Sequence, residues 1–297
     1  MKKNLLLIFF LSAAFAGTGQ NLVPNGDFEQ FGSCPTTLSQ LNTTLFWLNP
    51  TNGASTPDYF NQCGTGNAGI PVNIFGYQPA HSGAGYGGIH PWTLSSSNYR
   101  EYIEVMLTSN LIANQCYHFE MYVNRANTNQ YTIDNISVYF SDTAILGITN
   151  SDPLPFIPQI NNSAGFITDT LNWTLISGTL TASGGERFII IGNFNNDANT
   201  DTMLMNSSAP YAASYFYIDD VCLTPCGTPC YTGIQEQNQN HAINIYPNPV
   251  KDELFVNGYP LVGKTEIIIS DILGKEIYRN QFSSLLGRDQ IPTSKFK

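Results

Sequence analysis

The side chains best suited to chemistry sit on two alternating runs and in a scatter of carboxylates. His118, Glu120 and Tyr122 occupy every second position of one run, and Asn135, Ser137 and Tyr139 do so in another. Alternation of this kind puts each trio on one face of a strand. If the two strands pair as neighbours, the six residues form an aromatic platform with convergent polar groups. Such a surface holds a sugar ring by its apolar face and its hydroxyl edge. Glu101, Glu104 and Glu120 supply carboxylates of the kind that a glycosidase pairs across a scissile bond. The histidines His81, His90, His118 and His241 are scattered, and neither G-x-S-x-G nor H-E-x-x-H occurs. No catalytic residue is assigned on this basis.

Strands must position these groups, because runs with a 3.6-residue period are absent. Along 116–124, Tyr117, Phe119, Met121 and Val123 face one way, and Cys116, His118, Glu120 and Tyr122 the other. Residues 133–141 repeat the pattern, with Ile136, Val138 and Phe140 inward. Further strands are expected at 45–48, 86–92, 102–107, 173–180, 188–194 and 215–223. Trp47, Trp92 and Trp173 are expected in the core. Short strands separated by Asn, Gly, Ser, Thr and Pro predict an all-β fold, an antiparallel β-sandwich of the jelly-roll type over 20–224. A Cys-containing linker over 225–241 and a small β-sandwich over 242–297 follow.

Met1-Lys2-Lys3 ahead of an apolar run from Leu5 to Leu11 predicts a signal peptide over 1–19. The run is too short for a spanning helix, which needs about 20 apolar residues, and no later segment of the chain is long enough. Between Gln20 and Thr232, three basic residues (Arg100, Arg125 and Arg187) stand against fifteen acidic ones, a net of −12. Nucleic acid is excluded as a partner, since binding it requires cationic charge to displace counterions. An acidic surface of this kind suits a neutral ligand, a cation or solubility alone.

Six cysteines in a chain with a secretory leader predict disulfides. Cys34 and Cys63 share a Gly/Asn/Pro-rich region and are expected to pair. Cys116 and Cys222 each lie in an expected strand and are assigned to each other, leaving Cys226 and Cys230 to close a small loop. The C-x₃-C-x₃-C spacing also suits a metal cluster, but a fourth thiol or His is missing nearby. Residues 195–201 place oxygen side chains at alternate positions, as a calcium loop does. They lack its glycine, and Ser208 stands where its bidentate Glu belongs, so a polar surface loop is expected.

Two resemblances add to this reading. Tyr246-Pro247-Asn248-Pro249, the strand 254–256, the strand 266–269 and the D-x-x-G-K turn at Asp271 occur in order. This resembles the type A C-terminal sorting domain of the bacterial type IX secretion system. The resemblance implies export through the periplasm to the cell surface or medium, with the secretion machinery as partner. That family's domain continues into a final hairpin that this sequence lacks, which predicts periplasmic retention if the machinery reads the hairpin. The opening Asn25-Gly26-Asp27-Phe28-Glu29 and the closing Tyr217-Ile218-Asp219-Asp220-Val221 are similar to galactose-binding-like jelly rolls, among them carbohydrate-binding modules. The resemblance implies a structural Ca²⁺ held by Glu29 and Asp219 or Asp220, with Asp27, which would tie the first strand to the last. The leading expectation is an exported, non-catalytic binding protein that recognises glycans or a surface protein. A polysaccharide hydrolase or lyase, and a structural or adhesion component of the cell surface, are the alternatives.

Overall fold

The computed structural model describes residues 21–51, 53–163, 165–230, 244–246, 250–271 and 273–295. The expected leader lies outside them, as do Pro247, Asn248 and Pro249. The chain divides into two compact units, Met1–Thr232 and Gly233–Lys297. Among the described residues, no helix is long and apolar enough to cross a membrane.

The first unit begins with β1 (Trp47–Leu48), β2 (Asp58–Asn61), β3 (Val72–Asn73), β4 (Gly76–Tyr77) and β5 (Gly85–Thr93). It continues through β6 (Ile103–Met106), β7 (Cys116–Arg125), β8 (Tyr131–Ile133), β9 (Ser137–Ser141) and β10 (Ile160–Asn161). The last four are β11 (Thr174–Thr181), β12 (Phe188–Gly192), β13 (Thr202–Leu204) and β14 (Ala213–Pro225). Two antiparallel five-stranded sheets result, ordered β1-β6-β12-β9-β10 and β11-β7-β14-β5-β2. The expected antiparallel sandwich is the observed architecture.

Period-two patterning explains why the sheets face each other. Tyr117, Phe119, Met121 and Val123 of β7 are buried, as are Ile136, Val138 and Phe140 on and beside β9. Phe119 meets Phe140 across the layer, edge to face at 6.2 Å. A fully buried side chain of this size contributes about 1.5–3 kcal/mol, so this shared stripe supplies much of the driving force. Trp47 and Trp92 belong to the same core as expected, whereas Trp173 is half-exposed. A second aromatic cluster of Phe60, Phe75, Tyr86, Tyr215 and Tyr217 lies on the other face of the β5–β14 region. A third, around Tyr102, Leu154, Ile190 and Phe194, draws in residues 145–156 over the first sheet.

Three details depart from expectation. The single strand expected over 133–141 is two. β8 pairs with β13 in a separate ribbon, and β9 joins the first sheet. Of the expected linker, Cys226 and Cys230 are bridged back to sandwich strands, and residues 231–241 lie outside the described residues. Cys34 bridges Cys63 as expected, but Cys116 bridges Cys226 and Cys222 bridges Cys230. Register is the reason: Pro225 lies opposite Tyr117, so the next residue, Cys226, arrives beside Cys116 and donates its N–H to the Cys116 carbonyl. Cys222 sits opposite Glu120, one bulge away, and reaches Cys230 across the following turn.

In the second unit, β15 (Asn244–Tyr246), β16 (Glu253–Ser270) and β17 (Glu276–Pro292) form one antiparallel sheet. The two strands expected at 254–256 and 266–269 are parts of β16, which absorbs the intervening residues through register shifts.

Candidate functional site

The acids of the two end motifs converge on one loop. Glu29 Oε1 accepts the N–H groups of Ala84 and Gly85 at 2.6 and 2.8 Å. From β14, Asp219 accepts the N–H groups of His81 at 2.8 Å and Ser82 at 3.3 Å. Asp220 takes the Ser82 hydroxyl at 2.7 Å and lies against Nδ1 of His81. Asp219 is fully buried, and burial followed by the charge of Asp220 pushes its carboxyl well above the usual range. The glycines of these segments are steric requirements. A Cβ on Gly26 would lie 1.9 Å from the Val221 carbonyl, and one on Gly83 would lie 2.4 Å from the Glu29 carboxyl.

The first segment is tied to the last strand by direct contacts: Val221 N–H to Gly26 O, and both ends of the Asn21 amide to Val221 and Leu223. Oxygen donors of the class Ca²⁺ takes are present, and Oε2 of Glu29 makes no hydrogen bond to a described residue. Asp27, Glu29 and Asp219 all act on the Tyr59 hydroxyl electrostatically. Among the described residues, however, no three His, Cys, Asp or Glu side chains gather closely enough to ligate one ion.

The expected sugar-binding face is split. His118, Glu120 and Tyr122 share the outer face of β7, but β9 belongs to the opposite sheet, so Asn135, Ser137 and Tyr139 cannot join them. Tyr139 instead stacks on Phe156 at 4.6 Å within the third cluster, and Asn135 bonds its neighbour Asp134. On the β7 face, His118 pairs with Glu120 at 2.7 Å. Tyr122 stacks on His81 at 3.6 Å, with Trp173 edge-on to the same imidazole. The three glutamates do not meet either. Glu104 is buried in the first sheet, with Oε1 accepting the Ile145 N–H and Oε2 unpartnered, and burial pushes it up to about 7. Asp197 of the acidic loop is anchored rather than free, paired with the buried Arg100 at 2.9 Å.

Glu101 organises a site that sequence patterning did not show. Its Oε1 accepts the Thr56 N–H and hydroxyl, each at 3.1 Å, and the Tyr99 hydroxyl at 2.7 Å; its Oε2 accepts the His90 N–H at 2.7 Å. Around it opens a cleft of about 220 Å³ lined by Thr56, His90, Thr93, Ser95, Ser96, Tyr99 and Glu101. His90 projects from β5 and is wedged edge-on between Phe75 and Tyr215. Nδ1 of its ring faces the Ser214 carbonyl at 3.2 Å and donates to it. Behind the cleft, Asp58 holds the Tyr215 hydroxyl and the Ser39 N–H. Burial and then the charge of Glu101 push Asp58 up to about 7. The lining residues come from the segment just before β2, from β5 and from the 94–101 loop. The only signal in sequence was a run of small hydroxyl residues after β5.

Residues 244–297 match the family model for the secretion system C-terminal sorting domain. The tail is a sorting domain. No curated protein matches the chain. Among solved structures, the CBM22-1 xylan-binding domain of Paenibacillus barcinonensis Xyn10C is 12% identical, with a TM-score of 0.36 over 66% of this chain and 90% of that one. TmCBM61, solved with β-1,4-galactotriose, is 14% identical, with a TM-score of 0.30 over 69% and 99%. The K1 cleaved adhesin domain of Lys-gingipain from Porphyromonas gingivalis W83 is 14% identical, with a TM-score of 0.29 over 62% and 92%.

Within the sorting domain, the turn between β16 and β17 follows from two residues. Asp271 Oδ1 accepts the N–H groups of Leu273 and Lys275, and Gly274 supplies φ +82°. Arg279 then pairs with Glu266 and Glu276 on the exposed face. The sorting domain marks the chain for export.

Proposed function

We propose that the exported sandwich is a non-catalytic binding module, and that its cleft at Glu101 takes a neutral sugar ring or the end of a glycan chain. The supporting observation is the lining. Five hydroxyl side chains and one imidazole surround the cleft, and a buried carboxylate fixes three of the seven lining residues in place. Such groups exchange hydrogen bonds with a polyol in both directions. The volume is below the roughly 300–1,000 Å³ of drug-sized sites, which suits one ring. Glu101 itself is an organiser: four donors already occupy it, and a general acid or base needs a free position. A glycan array on the full-length protein should give binding without release of reducing ends. Tyr99→Phe should weaken that binding about tenfold or more. Reducing-end release from a bound polysaccharide would overturn the non-catalytic reading.

One observation favours the hydrolase alternative. Asp58 and Glu101 are neighbouring acids, and burial followed by the charge of Glu101 raises Asp58 to about 7. Asp58 does not line the cleft, however, and both its oxygens are engaged. Calcium is a further part of the proposal. Glu29, through its free Oε2, and Asp27 would hold the ion with backbone carbonyls, reinforcing the clamp on residues 81–85.

A further inference from the structure

Hydrogen bonding polarises the cleft at Glu101. Thr56 and Tyr99 each send their one hydroxyl proton to Oε1 of Glu101, at 3.1 and 2.7 Å. Nδ1 of His90 donates to the Ser214 carbonyl at 3.2 Å. These protons are committed to the protein, and the two hydroxyl oxygens keep their lone pairs for a ligand. Farther along the lining, the Thr93 and Ser95 hydroxyls share one hydrogen bond at 2.9 Å, which leaves one proton of the pair to donate. The hydroxyls that hold Glu101 therefore accept, and a ligand must bring donors to them.

Charge acts in the same direction. Four donors surround Glu101, and none of them is a charged group. Arg100, its neighbour in the chain, is buried and turned away, with Nε and Nη2 on the Asn195 carbonyl and an ion pair to Asp197. No described basic side chain pairs with Glu101. Its charge is felt behind the cleft, where it helps to raise the Asp58 carboxyl. A ligand carboxylate would meet lone pairs and a like charge. A metal ion is no better placed, since donors already occupy both Glu101 oxygens. Among the described residues, moreover, no three His, Cys, Asp or Glu side chains gather around one point. A primary ammonium suits both features, with three N–H donors and a positive charge. The net charge of −12 over the domain draws cations toward it as well.

We propose that the sugar this cleft favours is an amino sugar, a ring bearing a free primary ammonium in place of one hydroxyl. The inference rests on the reading of the cleft as a sugar site and adds the charge of the ring. An ammonium is close in size to the hydroxyl it replaces, so the same volume of about 220 Å³ serves. It donates to the Thr56 and Tyr99 oxygens, and the remaining hydroxyls of the ring exchange hydrogen bonds with Thr93, Ser95 and Ser96. A neutral ring makes these contacts without the charge. An N-acetylated ring keeps one N–H and loses the charge.

The test is an NMR titration of the full-length protein at pH 7, following the His90 ring resonances so that binding is located in the cleft. The probes are glucose with glucosamine, galactose with galactosamine, the two N-acetylated forms, and n-butylammonium. At least one amino sugar should bind about tenfold tighter than its neutral counterpart, the margin of a charge-assisted hydrogen bond over a neutral one. Its N-acetylated form should lose that gain. Glu101→Gln removes the charge and should bring the pair to within about threefold; a preference that survives it would overturn the proposal. Should that variant fail to fold, the wild-type comparison decides on its own. Neutral sugars binding as tightly as both amino sugars would overturn the inference and leave the sugar site standing. No saturable shift from any sugar would overturn both. Butylammonium binding as tightly as the amino sugar would overturn the assignment to a sugar.

Discussion

At the scale of single residues, Glu104 sets the pH response most directly. Its folded-state pKa, about 7, lies above the ordinary 4.5 because the carboxyl is buried with one oxygen unpartnered. A raised folded-state value means that its contribution to stability is full below about 4.5 and is lost as the pH climbs through about 7. Glu104→Gln removes that loss and keeps an acceptor for the Ile145 N–H. Thermal melts should show the variant gaining Tm over wild type at pH 8, with little difference at pH 4.5; an equal effect at both would contradict the cause given. The Glu29 clamp makes a second residue-scale prediction. A chelator should lower Tm, Ca²⁺ rather than Mg²⁺ should restore it, and Glu29→Gln should abolish the response while keeping its N–H contacts. An unchanged melt in chelator would take the ion out of the proposal. The acids themselves were legible as a matched pair of end motifs. Their partner, the 81–85 loop, was not, because N–H donors leave no trace in side-chain identity.

At the scale of strands, the expected runs placed β7, β9, β11, β12 and β14, and alternation oriented the faces of β7 and β9. β3, β4, β10 and β13 are two or three residues long, too short to express a period. Pairing partners were also hidden, and that is why Asn135 and Tyr139 were grouped with His118, Glu120 and Tyr122 although the strands lie in opposite sheets. The same gap misassigned the bridges at the end of β14, where Cys222 falls opposite Glu120 and Cys226 arrives beside Cys116. Peptide mapping under non-reducing conditions should recover Cys116 with Cys226 and Cys222 with Cys230. The first closes a separation of 110 residues and the second one of 8. Loop-closure entropy then makes the first worth up to about 4–5 kcal/mol, and the second less. Removing Cys116 and Cys226 together should therefore lower the unfolding midpoint more than removing Cys222 and Cys230.

At the scale of the molecule, an acidic sandwich is joined to a sorting domain that marks the chain for export. Deleting residues 244–297 should leave the protein in the periplasm while its fold and ligand binding persist; surface delivery without the tail would contradict the assignment. The central claim concerns the cleft at Glu101, and titration calorimetry tests it most directly. Full-length protein and its Tyr99→Phe variant would be titrated with neutral oligosaccharides selected from an array. The account predicts saturable binding to the wild type, about tenfold or more weaker binding to the variant, and no new reducing ends in the recovered sugar. Equal affinity in the two proteins would contradict it.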